Sequence, residues 1–393
     1  MPWEQKRVED KRRELVEAYE DGASMTELCR QFEVSRKTAY KWYKRYLSLG
    51  PEEGLKDLSK APHHPARVFI DKQIEMAIDL KLRKPYWGPK KILNRLNKYY
   101  PEMDWPSRAW LYEVFKERHL VTPRRFRRRV PATHPLGEVN NSNDVWMADF
   151  KGWFMTQDHT KCEPLTITDG HSRYLIRCRH MPKKSAEHVW PIFEEAFKEY
   201  GLPNRIRTDN GPPFGSMGAG RLTRLSVNII KAGVMPEWIN PGHPEENGRH
   251  ERFHLTMKQA IASPSSRSLR EQLIRMQRFQ EEYNYERPHE ALDMRTPAES
   301  YYQSPRKWDG VLREPEYDTK TEMVRKVCQS GCIWLKQKEY YVGQTLTGEY
   351  VGLKEVADGE YEVHYGAVTL GKITEGLEMK RPKMQPKKIV RRG

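Results

Sequence analysis

The amino-acid sequence predicts a multidomain protein in which α-helical modules come first, a mixed α/β domain follows, and a small β-barrel comes last. Three observations predict this order. Helix-forming patterns separated by short turns occupy the chain up to residue 122, strands alternate with helices from 143 to 300, and short strands return after about residue 323. A length of 393 residues leaves room for several such domains.

The charge balance of the chain favours a polyanionic partner. Lys and Arg number 69 against 54 Asp and Glu, which leaves a formal charge of +15. An excess of this size is typical of proteins that bind nucleic acid. The five cysteines form no even framework and no C-x-x-C pairs, which predicts reduced thiols in the cytoplasm. The charged N-terminus and the lack of long apolar runs predict neither a signal peptide nor a contact with the membrane.

Residues 1–60 predict a DNA-binding module of three short helices. The segment MTELCRQF is followed by a tight turn and then by SRKTAYKWYKRYL, in which Ser35 suits the first capping position. This spacing is typical of a helix-turn-helix, whose second helix enters the major groove. The alternative is an ordinary amphipathic helix with a solvated basic face. The candidate DNA-contacting residues on the outer face are Arg36, Lys37, Tyr40, Lys41 and Lys44.

Residues 61–122 predict a second module of the same kind. Its last helix lies in WPSRAWLYEVFKERHLV, where Ser107 suits the cap and Arg108 lies on the exposed side as a candidate DNA contact. Residues 123–142 follow as a basic linker that contains PRRFRRRVPATHP and can track a phosphate backbone.

Residues 143–300 predict the α/β domain, and residues 301–378 predict the small barrel. The first of these reads as three strands, a helix, a strand, a helix, a strand and a helix. The second contains the short strands CIWLKQKEYYV, EYVGLKEV, GEYEVHYG and VTLGKIT. Residues 379–393 form a basic tail that we expect to bind DNA without sequence preference.

Three acidic residues of the α/β domain lie where elements can meet. Asp149 falls within the first strand, Asp209 follows the fourth strand, and Glu251 lies on a helix able to cross the same edge. Carboxylate oxygens are the ligands that Mg²⁺ and Mn²⁺ accept, and two such ions can drive phosphodiester chemistry. The pattern therefore predicts a catalytic site with two Mg²⁺ or Mn²⁺ ions held by these acids.

Several strings resemble those of the DDE transposases and retroviral integrases, whose core is ribonuclease-H-like. The resemblance is closest to bacterial insertion-sequence transposases, and it rests on IRTDNGPPF, GHPEENGRHERFH, YNYERPHEAL and RTPAE. It implies that Asp149, Asp209 and Glu251 are the catalytic acids. It also implies a transposase that hydrolyses phosphodiester bonds at transposon ends to expose 3′-hydroxyls and joins them to target DNA. Such a protein acts as a homo-oligomer in a synaptic complex, in the bacterial cytoplasm near the nucleoid.

The third acid has rivals. Between Asp209 and Glu251 lie 41 residues (251 − 209 − 1), whereas Glu245 leaves 35 and Glu246 leaves 36. The N-G-R-x-E-R-F context favours Glu251, and the loop GSMGAGRLTRLS can absorb the extra length. On this interpretation Arg249 and Lys258 are candidate DNA contacts beside the site.

Two other functions compete with a transposase. His250, Glu251 and His254 have the H-E-x-x-H spacing of a zinc protease. That function requires a third ligand further along the chain and leaves both aspartates and the basic modules unexplained. The other candidate is a DNA-binding regulator derived from a transposase whose catalytic core is idle.

Overall fold

The computed structural model describes residues 8–57, 71–121, 138–240 and 248–374, which fall into two units. Residues 8–57 belong to the first unit, and the other described residues belong to the second. Within these ranges no helix is both long enough and apolar enough to cross a membrane. The features predicted outside the described residues are most of the basic linker, the rival acids Glu245 and Glu246, and the tail 379–393.

The first unit is a three-helix module built as the sequence predicts. Its helices are α1 (Val8–Glu20), α2 (Met25–Gln31) and α3 (Arg36–Glu53), the last of which is interrupted at Gly50. The turn before α3 places Glu33 at a φ of 54°, and Ser35 accepts a hydrogen bond from the Thr38 amide at 3.2 Å. That cap satisfies a backbone donor that the helix itself leaves unpaired. The apolar core of the module comprises Leu15, Val16, Met25, Leu28, Ala39 and Leu55.

The second helical module belongs to the same unit as the α/β domain. It consists of α4 (Asp71–Arg83), α5 (Pro89–Tyr99) and α6 (Arg108–Glu117), and Ser107 caps α6 as predicted. Six buried residues form its core: Ala77, Trp87, Ile92, Leu96, Leu111 and Phe115.

Ion pairs connect this second module to the α/β domain. Lys84 lies 2.8 Å from Glu282 and 3.1 Å from Glu286, and the Tyr86 hydroxyl donates to Glu282. Lys84 and Glu282 are both largely buried, so these contacts are less screened by solvent than surface pairs are.

The α/β domain contains one five-stranded sheet between two pairs of helices. The sheet order is β5-β4-β1-β6-β7, with β1 antiparallel to β4 and parallel to β6. Helices α7 and α8 cover one face, whereas α9 and α10 cover the other. The sequence-based order of elements is confirmed, and a short hairpin, β2 with β3, is added after the first strand. In chain order the elements are β1 (Val145–Phe150), β2 (Phe154–Met155), β3 (Lys161–Cys162), β4 (Pro164–Asp169), β5 (Leu175–His180), α7 (Ala186–Tyr200), β6 (Arg205–Thr208), α8 (Arg224–Lys231), β7 (Met235–Trp238), α9 (Gly248–Met257) and α10 (Leu269–Glu281).

The C-terminal strands do not form the predicted small β-barrel. Among the described residues, the sheet β13-β12-β11-β8 is antiparallel and open, and β9 pairs only with β10. The hairpin places Ile333, Leu335 and Tyr340 in the same apolar core as the sheet residues Leu353 and Val363. The hairpin therefore packs against the sheet and does not extend its edge. The strands are β8 (Glu322–Lys326), β9 (Cys332–Leu335), β10 (Lys338–Tyr341), β11 (Tyr350–Ala357), β12 (Glu360–Tyr365) and β13 (Val368–Thr374).

The loop that lengthens the spacing between Asp209 and Glu251 has a packing role. Its turn at Ala219–Arg221 joins the apolar core of the C-terminal sheet, together with Leu222. At Gly220 the φ is +60°, and an added Cβ would lie 2.7 Å from the Leu370 side chain. The extra residues therefore form part of the contact between the α/β domain and the C-terminal strands.

Candidate metal centre

Two of the predicted acids lie at the same level on adjacent parallel strands. In the β1–β6 pair, Val145 is opposite Arg205 and Met147 is opposite Arg207, an offset of 60 residues (205 − 145). The same offset relates Asp149 to Asp209, which follows the last residue of β6 (209 − 149 = 60). Neighbouring strands lie about 4.8 Å apart, so this register, continued to the end of β6 and one residue beyond, brings the backbone positions of the two acids side by side.

Strand alternation determines the face on which these acids lie. Trp146 and Ala148 pack in the core formed with α7 and α8. Because successive side chains point to opposite faces, Asp149 lies on the face that α9 and α10 cover. Asp209 is on the same level, and its carboxylate accepts a hydrogen bond from the Gly211 amide at 3.2 Å. Burial raises the pKa of Asp209, although the Gly211 amide and the charge of Lys184 act in the opposite direction.

Helix α9 is attached to the sheet through two histidines. His250 and His254 are four residues apart, so both lie on the inner side of the helix. Their Nε2 atoms lie 2.7 Å and 2.9 Å from the hydroxyl oxygen of Thr166, the residue that pairs with Asp149 across the β1–β4 ladder. Glu251 is adjacent to His250 in sequence, and its side chain is exposed.

Burial keeps both histidines neutral. It lowers the pKa of His250 well below that of a free imidazole, and His254 adds to the effect. Burial, helped by the charge of Lys151, also lowers the pKa of His254 to about 3. Both rings are therefore available as neutral donors or acceptors at any pH near 7.

Three lysines surround the acids. Burial lowers the pKa of Lys151, and the nearby charge of Lys258 lowers it further, which indicates that these two ammonium groups are neighbours. Lys184 faces Asp209 closely enough to lower its pKa, and it forms a 2.7 Å ion pair with Glu163. Positive charge beside a carboxylate cluster is suited to holding phosphate groups next to bound cations.

The predicted DNA contacts are placed unevenly. In the first module Arg36, Lys37 and Lys41 are exposed on α3, as are the other two predicted positions, and Arg36 also donates to Thr26 at 2.6 Å. Arg108 is exposed at the start of α6, and Lys258 is exposed just after the end of α9. The structure does not describe the side chain of Arg249.

Sequence reasoning missed the roles of Lys151, Lys184 and Thr166. It considered the two histidines within a zinc-protease spacing and did not predict that they attach α9 to the sheet, although a spacing of four residues was a signal that both lie on one side of the helix. Lys151 follows Asp149 by two residues, and that spacing gave no indication of its proximity to Lys258, because the partner lies on a distant helix.

Four family models match the chain. Two are described as integrase core domains, which match residues 139–244 and 232–297. A helix-turn-helix domain matches residues 11–63, and a homeodomain-like domain matches residues 38–115. The core models cover the strands that carry Asp149 and Asp209 and the helix that carries Glu251.

Two curated relatives are proteins of bacterial insertion elements. An uncharacterized 39.2 kDa protein of insertion element IS476 from Xanthomonas euvesicatoria is 26% identical over 221 residues, covering 54% of this chain and 60% of that protein. An uncharacterized 31.7 kDa protein of insertion element IS407 from Burkholderia multivorans is 25% identical over 193 residues, covering 48% of this chain and 67% of that protein.

Solved structures with partial similarity include an integrase core domain and a chain of an intasome. The catalytic core domain of HTLV-2 integrase in complex with magnesium is 16% identical with a TM-score of 0.33, covering 41% of this chain and 98% of its own. A simian T-cell lymphotropic virus intasome chain is 15% identical with a TM-score of 0.37, covering 75% of this chain and 97% of its own. These matches show that the chain carries an integrase core domain with helix-turn-helix and homeodomain-like domains ahead of it, and that it is similar to proteins of bacterial insertion elements.

Proposed function

We propose that this protein is a transposase. It binds the ends of its element, hydrolyses phosphodiester bonds to expose 3′-hydroxyls, and joins those ends to target DNA. The observation that carries the proposal is the shared level of Asp149 and Asp209 on adjacent parallel strands, with α9 attached beside Asp149. Two carboxylates one strand spacing apart repel each other unless a cation lies between them. Asp209 already has a raised pKa because it is buried.

The residues at this edge fit Mg²⁺ or Mn²⁺. Asp149, Asp209 and Glu251 offer the oxygen ligands that these ions prefer, and the exposed position of Glu251 leaves room for water and for substrate phosphates. The chemistry that two such ions supply when bound is activation of a water or 3′-hydroxyl and stabilisation of the leaving oxygen.

The chain itself binds and orients the DNA. Lys151 and Lys258 bind the phosphate beside the reacting bond, and Lys184 moderates the charge at Asp209. In the first module, α3 reads the end sequence in the major groove through its exposed basic face. Two ends must be brought together for joining, so the working form is a synaptic homo-oligomer.

A strand-transfer assay tests the proposal. A labelled duplex from the terminal repeat of the element is incubated with plasmid DNA and Mg²⁺ or Mn²⁺. Asp149→Asn, Asp209→Asn and Glu251→Gln should each lower the rate on the order of 10³-fold, because each removes a ligand whose metal stabilises the transition state by several kcal/mol. Binding of the end duplex should persist, because α3 is unchanged.

Glu245→Gln is the matched control for the third acid. It should retain activity, and an inactive Glu245→Gln with an active Glu251→Gln would show that the third acid is assigned wrongly. A wild-type protein that binds the end duplex but transfers no strand with either metal would favour the regulator.

A further inference from the structure

A second type of metal site overlaps the carboxylate site. Among the described residues, ligand atoms of Asp149, His250 and His254 all lie within 4.8 Å of one another. The two imidazoles converge because they are one helical turn apart on α9, and Asp149 approaches them from the neighbouring strand β1. The H-E-x-x-H spacing thus acquires a third ligand from far upstream, whereas a zinc protease would require one downstream.

Hydrogen bonding fixes how the three groups are held without a metal. The Thr166 hydroxyl has one proton and two lone pairs. It donates to the Asp149 carbonyl oxygen at 3.1 Å, so it accepts from both Nε2–H groups. The Thr168 hydroxyl lies 3.3 Å from Nδ1 of His250 and can donate to it. Both rings therefore point their Nε2 atoms at the Thr166 hydroxyl oxygen, and a ring nitrogen of each lies within 4.8 Å of an Asp149 carboxylate oxygen.

Metal binding in this arrangement needs a change of tautomer and a rotation of the Thr166 side chain, whose hydroxyl oxygen lies where both Nε2 atoms point. When the proton of each ring moves to Nδ1, the two Nε2 lone pairs face the same point as before. The Thr168 hydroxyl can then accept from Nδ1 of His250, since a hydroxyl both donates and accepts. A ring nitrogen that keeps a hydrogen-bond partner on its far side is how histidine ligands are usually oriented.

We propose that Asp149, His250 and His254 form a binding site for Zn²⁺ or a similar transition-metal ion, and that its occupancy inhibits the protein. Two imidazoles and one carboxylate suit Zn²⁺, whereas Mg²⁺ prefers oxygen ligands and keeps its waters. Because Asp149 belongs to both donor sets, the zinc site and the magnesium site cannot use it at the same time. The zinc site stands on its own geometry, and only the inhibition rests on the proposed transposase function.

Zinc titration of the full chain tests the site. The protein is stripped with a chelator, and Zn²⁺ is added in a calorimeter to the wild type, His254→Gln, Asp149→Asn and Glu251→Gln. The wild type and Glu251→Gln should share one tight site that His254→Gln and Asp149→Asn weaken by at least about 10-fold, since even partners of a ligand contribute that much. Glu251→Gln is the matched control, because it alters the neighbouring residue and leaves all three ligands.

Cobalt provides a readout that does not depend on affinity. Co²⁺ in the site should give visible absorption bands in the wild type and Glu251→Gln, and these bands should be lost in His254→Gln. His254 is used because the ring of His250 is fully buried, and thermal unfolding checks that each variant is folded. Zinc binding that is equally tight in His254→Gln, or no binding by the wild type, would overturn the proposal.

An assay of strand-transfer activity distinguishes the proposed zinc site from the proposed transposase function. Zn²⁺ added to a Mg²⁺-driven strand-transfer reaction should inhibit the wild type at the concentration that fills the site, and excess Mg²⁺ should relieve the inhibition. Full activity with the site filled would overturn the competition. A wild type that binds Zn²⁺ but never transfers strands would refute the transposase function and leave the metal site standing.

Discussion

The two halves of the candidate site are held in place by different forces. The strand half, Asp149 and Asp209, is positioned by the parallel ladder of β1 and β6, in which backbone hydrogen bonds fix the register. The helix half, Glu251 on α9, follows residues that the structure does not describe and is attached through the side chains of His250 and His254. Register is a property of many bonds together, whereas the position of α9 depends on side-chain contacts, namely the histidine hydrogen bonds and the apolar packing of Phe253 and Met257. The helix half should therefore be the more easily displaced.

Thr166→Val provides the most severe test of this difference. Valine has nearly the shape of threonine and suits a strand, so the β1–β4 ladder should persist. Loss of the hydroxyl leaves the two buried Nε2–H groups without their acceptor, and we expect the free energy of unfolding to fall by roughly 2–4 kcal/mol. Strand transfer should fall as well, because α9, which carries the proposed third acid Glu251, loses its hydrogen bonds to the sheet. Urea unfolding and the strand-transfer assay measure the two effects.

Thr166→Ser is the control, because it keeps the hydroxyl and loses only a methyl group. It should restore most of both the stability and the activity. If valine proves as stable and as active as serine, the hydroxyl network does not hold α9, and the contrast between the two halves fails.

The same contrast explains what the sequence could predict. Apolar runs and turn residues predicted the order of elements in the α/β domain, because each strand and helix is buried in a pattern that local sequence records. The alignment of Asp149 with Asp209 follows from the order of the strands in the sheet. That order was predicted from the resemblance to a ribonuclease-H-like core. The proximity of Lys151 to Lys258 and the hydrogen bonds of Thr166 with both histidines join elements far apart in the chain, and no local pattern encodes them.

The predicted barrel was wrong for a related reason. Alternating short strands look the same whether the last hairpin extends the edge of a sheet or packs on its face. Apolar packing determines the arrangement, because Ile333 and Leu335 are buried against the sheet.

A fall in pH should change the stability contributed by the two halves of the site in opposite directions. His289, behind α9, contacts the Tyr283 ring at 4.8 Å, and burial, with the charges of Lys91, Arg287 and Arg173, lowers its pKa to about 2. The unfolded chain takes up this proton below pH 6.5 and the folded protein does not, so stability falls by about 1.4 kcal/mol per pH unit from 6.5 downward. Asp209 has a raised pKa, so the folded protein binds its proton more readily, and its contribution to stability grows as the pH falls.

His289→Gln should therefore flatten the loss of stability between pH 6.5 and 4. Asp209→Asn should steepen the net loss over the acidic range in which Asp209 takes up its proton and raise the stability near neutral pH, where the buried carboxylate is charged. Urea unfolding at a series of pH values measures both slopes, and His159→Gln on an exposed turn serves as the control. If the free energy of unfolding depends on pH with the same slope in the wild type and in His289→Gln, this histidine does not drive acid unfolding.

The smallest expected effect concerns the lysines that accompany each half. Lys258, at the end of α9, has no acidic partner within the described part of the chain, whereas Lys184, beside Asp209, is paired with Glu163 at 2.7 Å. An unpaired ammonium group is free to displace counterions from DNA, so Lys258→Gln should lower the slope of log affinity against log salt by about 0.9, the value for one phosphate contact. Lys184→Gln should lower it by less, because removing Lys184 also releases a carboxylate that then repels the DNA.

Lys198→Gln, on α7 at the opposite face of the sheet, should leave the slope unchanged. Fluorescence anisotropy of a labelled end duplex across a salt series measures all three, and a larger change for Lys184→Gln than for Lys258→Gln would place the phosphate on the strand half of the site.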